Sequence, residues 1–282
     1  MLKRLVNLAG SLVVWSADGL SENICRLVGR PQLPRCVVLA YHSIPPEQRH
    51  LFVRQMEMLL RKAKIVHADV AALPAQWKHY AAITFDDGYD DILETALPEL
   101  RKRGMPSTVF VIAGLLGRKR NWEHRGGEDT SEVSLMSPER LQQIASELVH
   151  VGSHTMTHTY LPRLGPEELQ EELTGSRLKL EKLLNREIKT FALPYGAYND
   201  MVLKICREAG YERVFTGLPV CAFAQPREFL TGRVVVALTD WPLEFRLKAA
   251  GAYRWLPWAY TLKRRIMSVV QGKRRESAPA LG

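Results

Sequence analysis

Short apolar runs alternate with longer segments of helical periodicity through most of the chain. Runs typical of β-strands cover 36–41, 64–68, 81–85, 107–113, 150–154, 189–195 and 233–238. Helical patterns cover 48–62, 90–103, 166–184 and 200–210, and Ser137 is predicted to begin a further helix. Strands that alternate with helices predict a parallel sheet with helical crossover connections. A chain of 282 residues has room for one barrel-sized domain or two smaller ones.

Residues able to do chemistry lie at the ends of the predicted strands, either as their last residues or directly after them. They are His42, the pair Asp86 and Asp87, His154, and the pair Pro194 and Tyr195. In a β/α barrel the carboxyl ends of the strands converge on one face, where active sites are built. The pattern therefore predicts that these distant residues share one pocket.

Asp86 and Asp87 are adjacent carboxylates at the end of one strand. Neighbouring side chains on a strand point in different directions, so one carboxylate can bind a metal while the other faces a reacting water. Gly88 permits the sharp turn that this requires. The alternative is that both aspartates are turn residues, and for the next acidic pair, Asp90 and Asp91, we favour a structural role at the start of the following helix.

His154 and His158 are four residues apart. This spacing places two imidazoles on one face of a helical turn, where both can reach one ion. The alternative is a hydrogen-bonded pair on the surface, which the spacing alone does not distinguish. Together with one aspartate of the earlier pair, the two histidines make a three-ligand site with an open position, which is typical of catalytic zinc or a similar divalent ion.

Four short motifs resemble those of one enzyme family. TFDDGY at 84–89, SHTMTH at 153–158 and FALPYG at 191–196 resemble, in order, three motifs of the polysaccharide deacetylase family, the NodB homology group or carbohydrate esterase family 4. LAYHS at 39–43 is similar to an early Tyr-His element of the poly-N-acetylglucosamine-type members. The resemblance extends over about 36–245, and it implies a distorted (β/α)7 barrel with helical extensions at both ends.

The resemblance also implies roles for individual residues. The implied metal ligands are Asp87, His154 and His158, and the implied cofactor is one divalent ion, zinc first and cobalt or nickel next. Asp86 matches the general base. Tyr195 matches the residue whose backbone N–H binds the oxyanion, and Pro194 shapes that turn within the substrate site.

The chain departs from the common family pattern in two places. The family has an Arg, bonded to the catalytic aspartate, where this chain has Ala192. The family also takes its general acid from a late histidine, but here no histidine follows His158. In the poly-N-acetylglucosamine-type relatives an early strand supplies the acid, and His42 occupies that position. The alternative for His42 is a hydrogen-bonded histidine at a strand end.

The formal charge of +9 is concentrated at the two ends of the chain. Residues 246–282 carry +8 and 1–35 carry +3, which leaves −2 for 36–245. We therefore expect an amphipathic extension over 1–35, a deacetylase domain over 36–245 and a basic, aromatic extension over 246–282. A nearly neutral central part disfavours nucleic-acid binding. The four cysteines, Cys25, Cys36, Cys206 and Cys221, form no close pair, which favours free thiols.

Aromatic residues and basic clusters in the C-terminal extension indicate peripheral membrane contact. The alternative is a helix pair that closes the barrel. We expect a cytoplasmic protein, or one peripheral at the inner membrane, with export left open.

The expected function is metal-dependent removal of N-acetyl groups from an amino-sugar glycan in exopolysaccharide biosynthesis or modification. The alternatives are a deacetylase of a lipid-linked sugar precursor and a non-catalytic sugar-binding member of the fold.

Overall fold

A curled sheet of parallel strands organises the chain in the computed structural model, which describes residues 1–119 and 134–262. Its strands are β1 (Arg35–Tyr41), β2 (Lys64–Ile65), β3 (His79–Phe85), β4 (Ser107–Val111), β5 (Val149–Ser153), β6 (Thr190–Ala192), β7 (Arg213–Phe215), β8 (Leu230–Thr231) and β9 (Val234–Val235). The order across the sheet is β8-β7-β6-β5-β4-β3-β1-β9, with β2 paired to β3. The outermost strands β8 and β9 are separated by only Gly232 and Arg233, so the sheet curls until its two edges nearly meet. The predicted distorted α/β barrel is confirmed.

Helices connect the strands and cover the outside of the sheet. They are α1 (Leu2–Leu27), α2 (Arg49–Leu60), α3 (Ala96–Lys102), α4 (Pro138–Ile144), α5 (Pro166–Gln170), α6 (Ser176–Leu184), α7 (Asp200–Glu208) and α8 (Pro242–Ala249). Segment 90–103, predicted as one helix, is a 3-10 turn followed by α3. Segment 166–184 is helical as predicted, with a π-helical turn at Glu171–Gly175 joining α5 to α6.

Alternate strand residues form two separate layers of core. In β1, Cys36 and Val38 belong to a small cluster enclosed by the strands, whereas Val37 and Leu39 belong to the large cluster between strands and helices. Because both faces of the sheet are buried, β1 is apolar without interruption from Cys36 to Tyr41, as is typical of parallel sheets. In β3 and β4 the even-numbered residues face the interior of the barrel. Asp86, the next even-numbered residue after β3, therefore also faces the interior.

The barrel interior leaves little free space beside the large side chain of Phe110. A Cβ added to Gly152 of β5 would lie 2.4 Å from the Phe110 ring and 2.7 Å from Thr190 Oγ1. These distances are too short for any side chain, so Gly152 is required where the Phe110 ring fills the interior.

The N-terminal extension and the C-terminal segment pack together. Trp255 Nε1 donates to Ser11 Oγ at 3.0 Å, and Arg254 pairs with Asp18 at 2.8 Å. Lys3 lies over the ring of Tyr260, so residues 254–260 run antiparallel to α1. No helix within 1–119 or 134–262 combines the length and apolar character needed to cross a membrane. The basic clusters Lys263–Arg265 and Lys273–Arg275 lie outside the described residues.

Candidate active site

The structure brings the residues that follow the strands to one edge of the sheet. Three of them surround a single point: Asp87 Oδ1 lies 3.3 Å from His154 Nε2 and 3.4 Å from His158 Nε2. All three side chains are buried. The Asp87 oxygen makes no hydrogen bond within the described residues, although it is shielded from water. One carboxylate and two imidazoles arranged in this way are a donor set that suits zinc or another borderline divalent ion.

The protonation states of Asp87 and His158 suit metal binding. Burial would raise the pKa of Asp87, but the close imidazoles of His154 and His158 outweigh it and hold that pKa well below its usual range. Burial, followed by the charge of His154, lowers the pKa of His158 to about 4. The His158 imidazole is therefore neutral at physiological pH, as a metal ligand must be.

The orientation of His154 is set by the backbone of β6. His154 Nδ1 lies 2.7 Å from the carbonyl oxygen of Ala192, and a carbonyl only accepts, so Nδ1 carries a proton. Nε2 is therefore the atom presented to Asp87 and to an ion. A backbone carbonyl bonded to the far nitrogen of a histidine is a common way to fix a metal ligand.

The segment that carries the two histidines is not helical, and the helical-turn prediction was wrong. Thr155 and His158 both have positive φ values, 71° and 63°, and 154–160 forms an irregular loop after β5. His158 N–H donates to Thr155 Oγ1 at 2.9 Å within this loop. The two rings therefore meet through a tight loop, with centroids 5.0 Å apart, instead of through the period of a helix.

Asp86 is buried beside the cluster and is held by Arg233, which the sequence analysis did not identify. Arg233 Nη1 donates to Asp86 Oδ1 at 2.6 Å, and Nη2 donates to Oδ2 at 2.8 Å. Burial would raise the pKa of Asp86, but the charges of Arg233 and His154 lower it below the usual range. Asp86 is therefore an ionised carboxylate with a fixed orientation.

Arg233 gives Asp86 the arginine partner that Ala192 does not supply. It sits in the two-residue link between β8 and β9, and its guanidinium lies inside the barrel over the rings of Phe110 and Phe215. It also bonds Thr84 Oγ1 at 3.2 Å. The sequence feature that could have identified Arg233 is its position at the start of an otherwise apolar strand. A charged residue is seldom buried without a partner, so such an arginine predicts a buried acid nearby.

Residues 75–214, which contain the aspartate pair, both histidines and Tyr195, match the family model described as polysaccharide deacetylase. The chain contains a polysaccharide deacetylase domain. Its fold agrees with that of IcaB from Ammonifex degensii, which is 29% identical with a TM-score of 0.65 over 79% of this chain and 98% of that one. The deacetylase PplD of Streptococcus pyogenes shares the fold at 22% identity, with a TM-score of 0.63 over 77% of this chain and 99% of that one.

Curated relatives match over a shorter region. YxkH of Bacillus subtilis is 29% identical over 155 residues, 55% of this chain and 50% of that protein. A poly-β-1,6-N-acetyl-D-glucosamine N-deacetylase of Staphylococcus aureus is 29% identical over 143 residues, 48% of this chain and 46% of that protein. The matched region thus spans about half the length of these relatives.

The histidine loop of the deacetylase domain is held in place by Glu172, another residue that the sequence analysis did not identify. Glu172 Oε2 accepts from the N–H groups of Met156 and Thr157 at 2.9 and 3.0 Å, and Oε1 accepts from Thr157 Oγ1 at 2.5 Å. The side chain is buried and belongs to the π-helical turn. Single π-helical turns occur frequently at functional sites, and here the turn carries the carboxylate that orders the loop.

Replacing Glu172 with Gln is expected to weaken metal binding by about 10–100-fold, because residues that orient metal ligands typically contribute that much. An amide supplies one acceptor oxygen where the loop uses two. The measurement is zinc affinity by competition with a chromogenic chelator. Glu171→Gln, an exposed neighbour on the same turn, is the matched control. Equal affinities for the two variants would contradict a role for Glu172 in ordering the ligands.

His42 lies close enough to the cluster for its charge to lower the pKa of both Asp86 and Asp87. The next residue, Ser43, donates its hydroxyl to Asp91, which is half-buried in the 3-10 turn after the aspartate pair. This bond ties the segment after β1 to the segment after β3, so Asp91 fixes the position of the loop that carries His42.

Tyr195 has a left-handed backbone conformation, with φ 58° and ψ 8°, directly after Pro194. Its ring packs edge-on against His158 with centroids 4.8 Å apart, and the residue is 43% exposed. Non-glycine residues in this conformation are uncommon and cluster at functional sites. The PYG turn therefore borders the cluster on its solvent side.

Proposed function

We propose that the chain is a metal-dependent hydrolase that removes N-acetyl groups from an amino-sugar polymer in exopolysaccharide biosynthesis or modification. The observation that carries the proposal is a buried Asp-His-His cluster beside a second carboxylate, Asp86, which is ionised and fixed by Arg233. Metal-assisted amide hydrolysis needs a three-ligand metal site and, beside it, a carboxylate base that does not itself bind the metal. The names of the curated relatives support the same reaction class.

Asp87, His154 and His158 would hold the ion, for which zinc is our first choice and cobalt or nickel the next. A bound divalent ion supplies Lewis acidity toward the amide carbonyl and lowers the pKa of water. Asp86 accepts the proton of the attacking water, because its ionised state and fixed orientation suit it to act as a base. The backbone N–H of Tyr195 stabilises the oxyanion, and Pro194 sets the turn that presents it.

His42 is proposed as the general acid that protonates the amine as the C–N bond breaks. An amide nitrogen leaves poorly until it is protonated, so loss of this proton donor slows the final step. We expect His42→Ala to lower turnover by about 10²–10⁴ and to remove the basic limb of the pH profile of kcat/KM. His50→Ala, at an exposed position on α2, is the control. An unchanged basic limb in the His42 variant would assign His42 a structural role.

Acetate release from a panel of N-acetylated substrates tests the whole proposal. The panel contains oligomers of β-1,6-linked N-acetylglucosamine, chito-oligosaccharides and extracted lipid-linked N-acetylated sugars. We expect release from the polymer models, loss of release with a chelator, and recovery with zinc, cobalt or nickel. Release from the lipid-linked sugars alone would favour a glycolipid substrate. No release from any substrate by the metal-loaded protein would favour a non-catalytic sugar-binding protein.

Peripheral membrane contact is proposed for the joined N- and C-terminal segments. Trp258 is 68% exposed and Val6 is 54% exposed, and the antiparallel packing places them on neighbouring stretches of chain. The basic residues after Leu262 would add attraction to anionic lipid, so we propose a location at the inner membrane surface. Flotation of the full chain with anionic vesicles, compared with a Val6→Ser/Trp258→Ser variant, tests this. Equal flotation of both proteins would exclude contact through this surface.

A further inference from the structure

A second cluster of metal-binding residue types lies away from the active site. His150 is near the start of β5, whereas His154 follows the end of the same strand, so about 13 Å of strand separates them at about 3.3 Å per residue. His67 and Asp69 join His150 from the segment after β2. The cluster therefore lies toward the amino end of the strand whose carboxyl end supplies the active site.

The donor atoms of this second cluster converge. One donor atom from each of the three side chains lies within 4.8 Å of the other two. Asp69 Oδ2 is 2.8 Å from His150 Nδ1. The Nδ1 atom of His67 is buried and has no hydrogen-bond partner among the described residues. A buried imidazole nitrogen without a partner is costly, and a metal ion would satisfy it.

Space for further ligands is present beside the cluster. Asp69 and His150 line a cavity of about 340 Å³, together with Arg186, Glu187 and Lys189. The side chains of Asp69 and His150 are 34% and 35% exposed, so water can complete the coordination of an ion there. Two imidazoles and one carboxylate favour zinc, cobalt, nickel or copper over calcium or magnesium.

The two imidazoles of the second cluster lie face to face. The rings of His67 and His150 are stacked, with centroids 3.7 Å apart and planes 10° apart. Imidazole lone pairs lie in the ring plane, so coordination requires one ring to turn about χ2, which is a soft torsion.

We propose that His67, Asp69 and His150 form a second site for a divalent transition-metal ion, separate from the site of Asp87, His154 and His158. An ion held there cross-links the segment after β2 to β5. This inference does not depend on the proposed hydrolysis, because the two sites share no residue.

Zinc stoichiometry of the full chain tests the second site. Metal-free protein is titrated with zinc by calorimetry, and bound metal is measured after dialysis. We expect two equivalents for the wild type, one for His150→Gln, one for His158→Gln and none for the double variant. His50→Gln, at an exposed position on α2, should retain two. Cobalt titration of the wild type gives an independent measurement, because each site should contribute its own visible absorption.

Two results would overturn the second site. One is an unchanged stoichiometry in both His67→Gln and His150→Gln. The other is a wild-type protein that binds one equivalent of zinc, together with a His158→Gln variant that binds none. This second result does not depend on whether the His67 and His150 variants fold. If the active-site cluster fails to bind metal, the wild type should hold one equivalent that is lost in His150→Gln, so failure at one site is distinguishable from failure at the other.

Discussion

Asp86→Asn is expected to lower kcat by about 10²–10⁴ while the protein still binds its metal, because a positioned general base contributes that much. The amide cannot accept a proton from water at neutral pH. It keeps the shape of the carboxylate and is not one of the three side chains that meet at the metal cluster. The measurement is acetate release together with metal content, made well below the unfolding temperature.

Two variants separate loss of the base from other effects. Asp87→Asn should lose both metal and activity, because Asp87 contributes the oxygen that both histidines face. Asp200→Asn, an exposed change at the start of α7, should behave as wild type. Near-normal turnover in Asp86→Asn would remove Asp86 from the catalytic role, and loss of metal in that variant would assign it to metal binding.

Arg233→Met is expected to destabilise the fold by about 3–5 kcal/mol and to shift the acidic limb of the pH profile upward. Removing the guanidinium leaves Asp86 buried without its main countercharge, so burial raises the pKa of that carboxyl. The base is then protonated over a wider pH range. The measurements are urea unfolding and kcat/KM as a function of pH.

Companion variants identify what Arg233 contributes. Arg233→Lys keeps the charge but loses the two parallel hydrogen bonds, so we expect an intermediate pH profile. Asp86→Asn/Arg233→Met removes both buried charges and should recover part of the lost stability. Arg61→Met, at an exposed position after α2, is the surface control. Wild-type stability and an unchanged acidic limb in Arg233→Met would show that the ion pair does not set the state of Asp86.

Stability of the wild-type protein depends on pH through the same pair. The pKa of Asp86 is lower in the folded state than the ordinary value of about 3.9 expected in the unfolded chain. The pair therefore stabilises the fold fully above that ordinary value. Its contribution is lost as the pH falls toward the lower folded pKa, because the unfolded chain takes up the proton first.

Strand ends explain why much of the site was predictable. The parallel arrangement brings the carboxyl ends of β1, β3, β5 and β6 to one edge, so polar residues that follow apolar runs are expected to meet there. Asp87 and the two histidines meet for this reason. Their local geometry was not predictable from spacing, because the positive φ of Thr155 and His158 forms a loop where a helical turn was expected.

Arg233 and Glu172 were not found, because their contacts are set by tertiary structure. Arg233 is 147 residues from Asp86 in sequence, and its position follows from closure of the sheet. Glu172 is one of several acids in a charged helix, and only its burial by tertiary packing distinguishes it from exposed Glu171 on the same turn. Strands β7 and β8 have three and two residues, too few for a periodic pattern.

Because Gly232 and Arg233 link the outermost strands, activity requires that these last two strands have folded onto the sheet. The metal ligands follow β3 and β5 in the middle of the sheet, whereas the countercharge of the base arrives only with its last two strands. An intermediate in which β8 and β9 have detached would retain all three ligands and lose the arginine. Such a species would keep the proposed metal ligands, but Asp86 would lack the partner that fixes its orientation, so we expect hydrolysis only after both edge strands have joined the sheet.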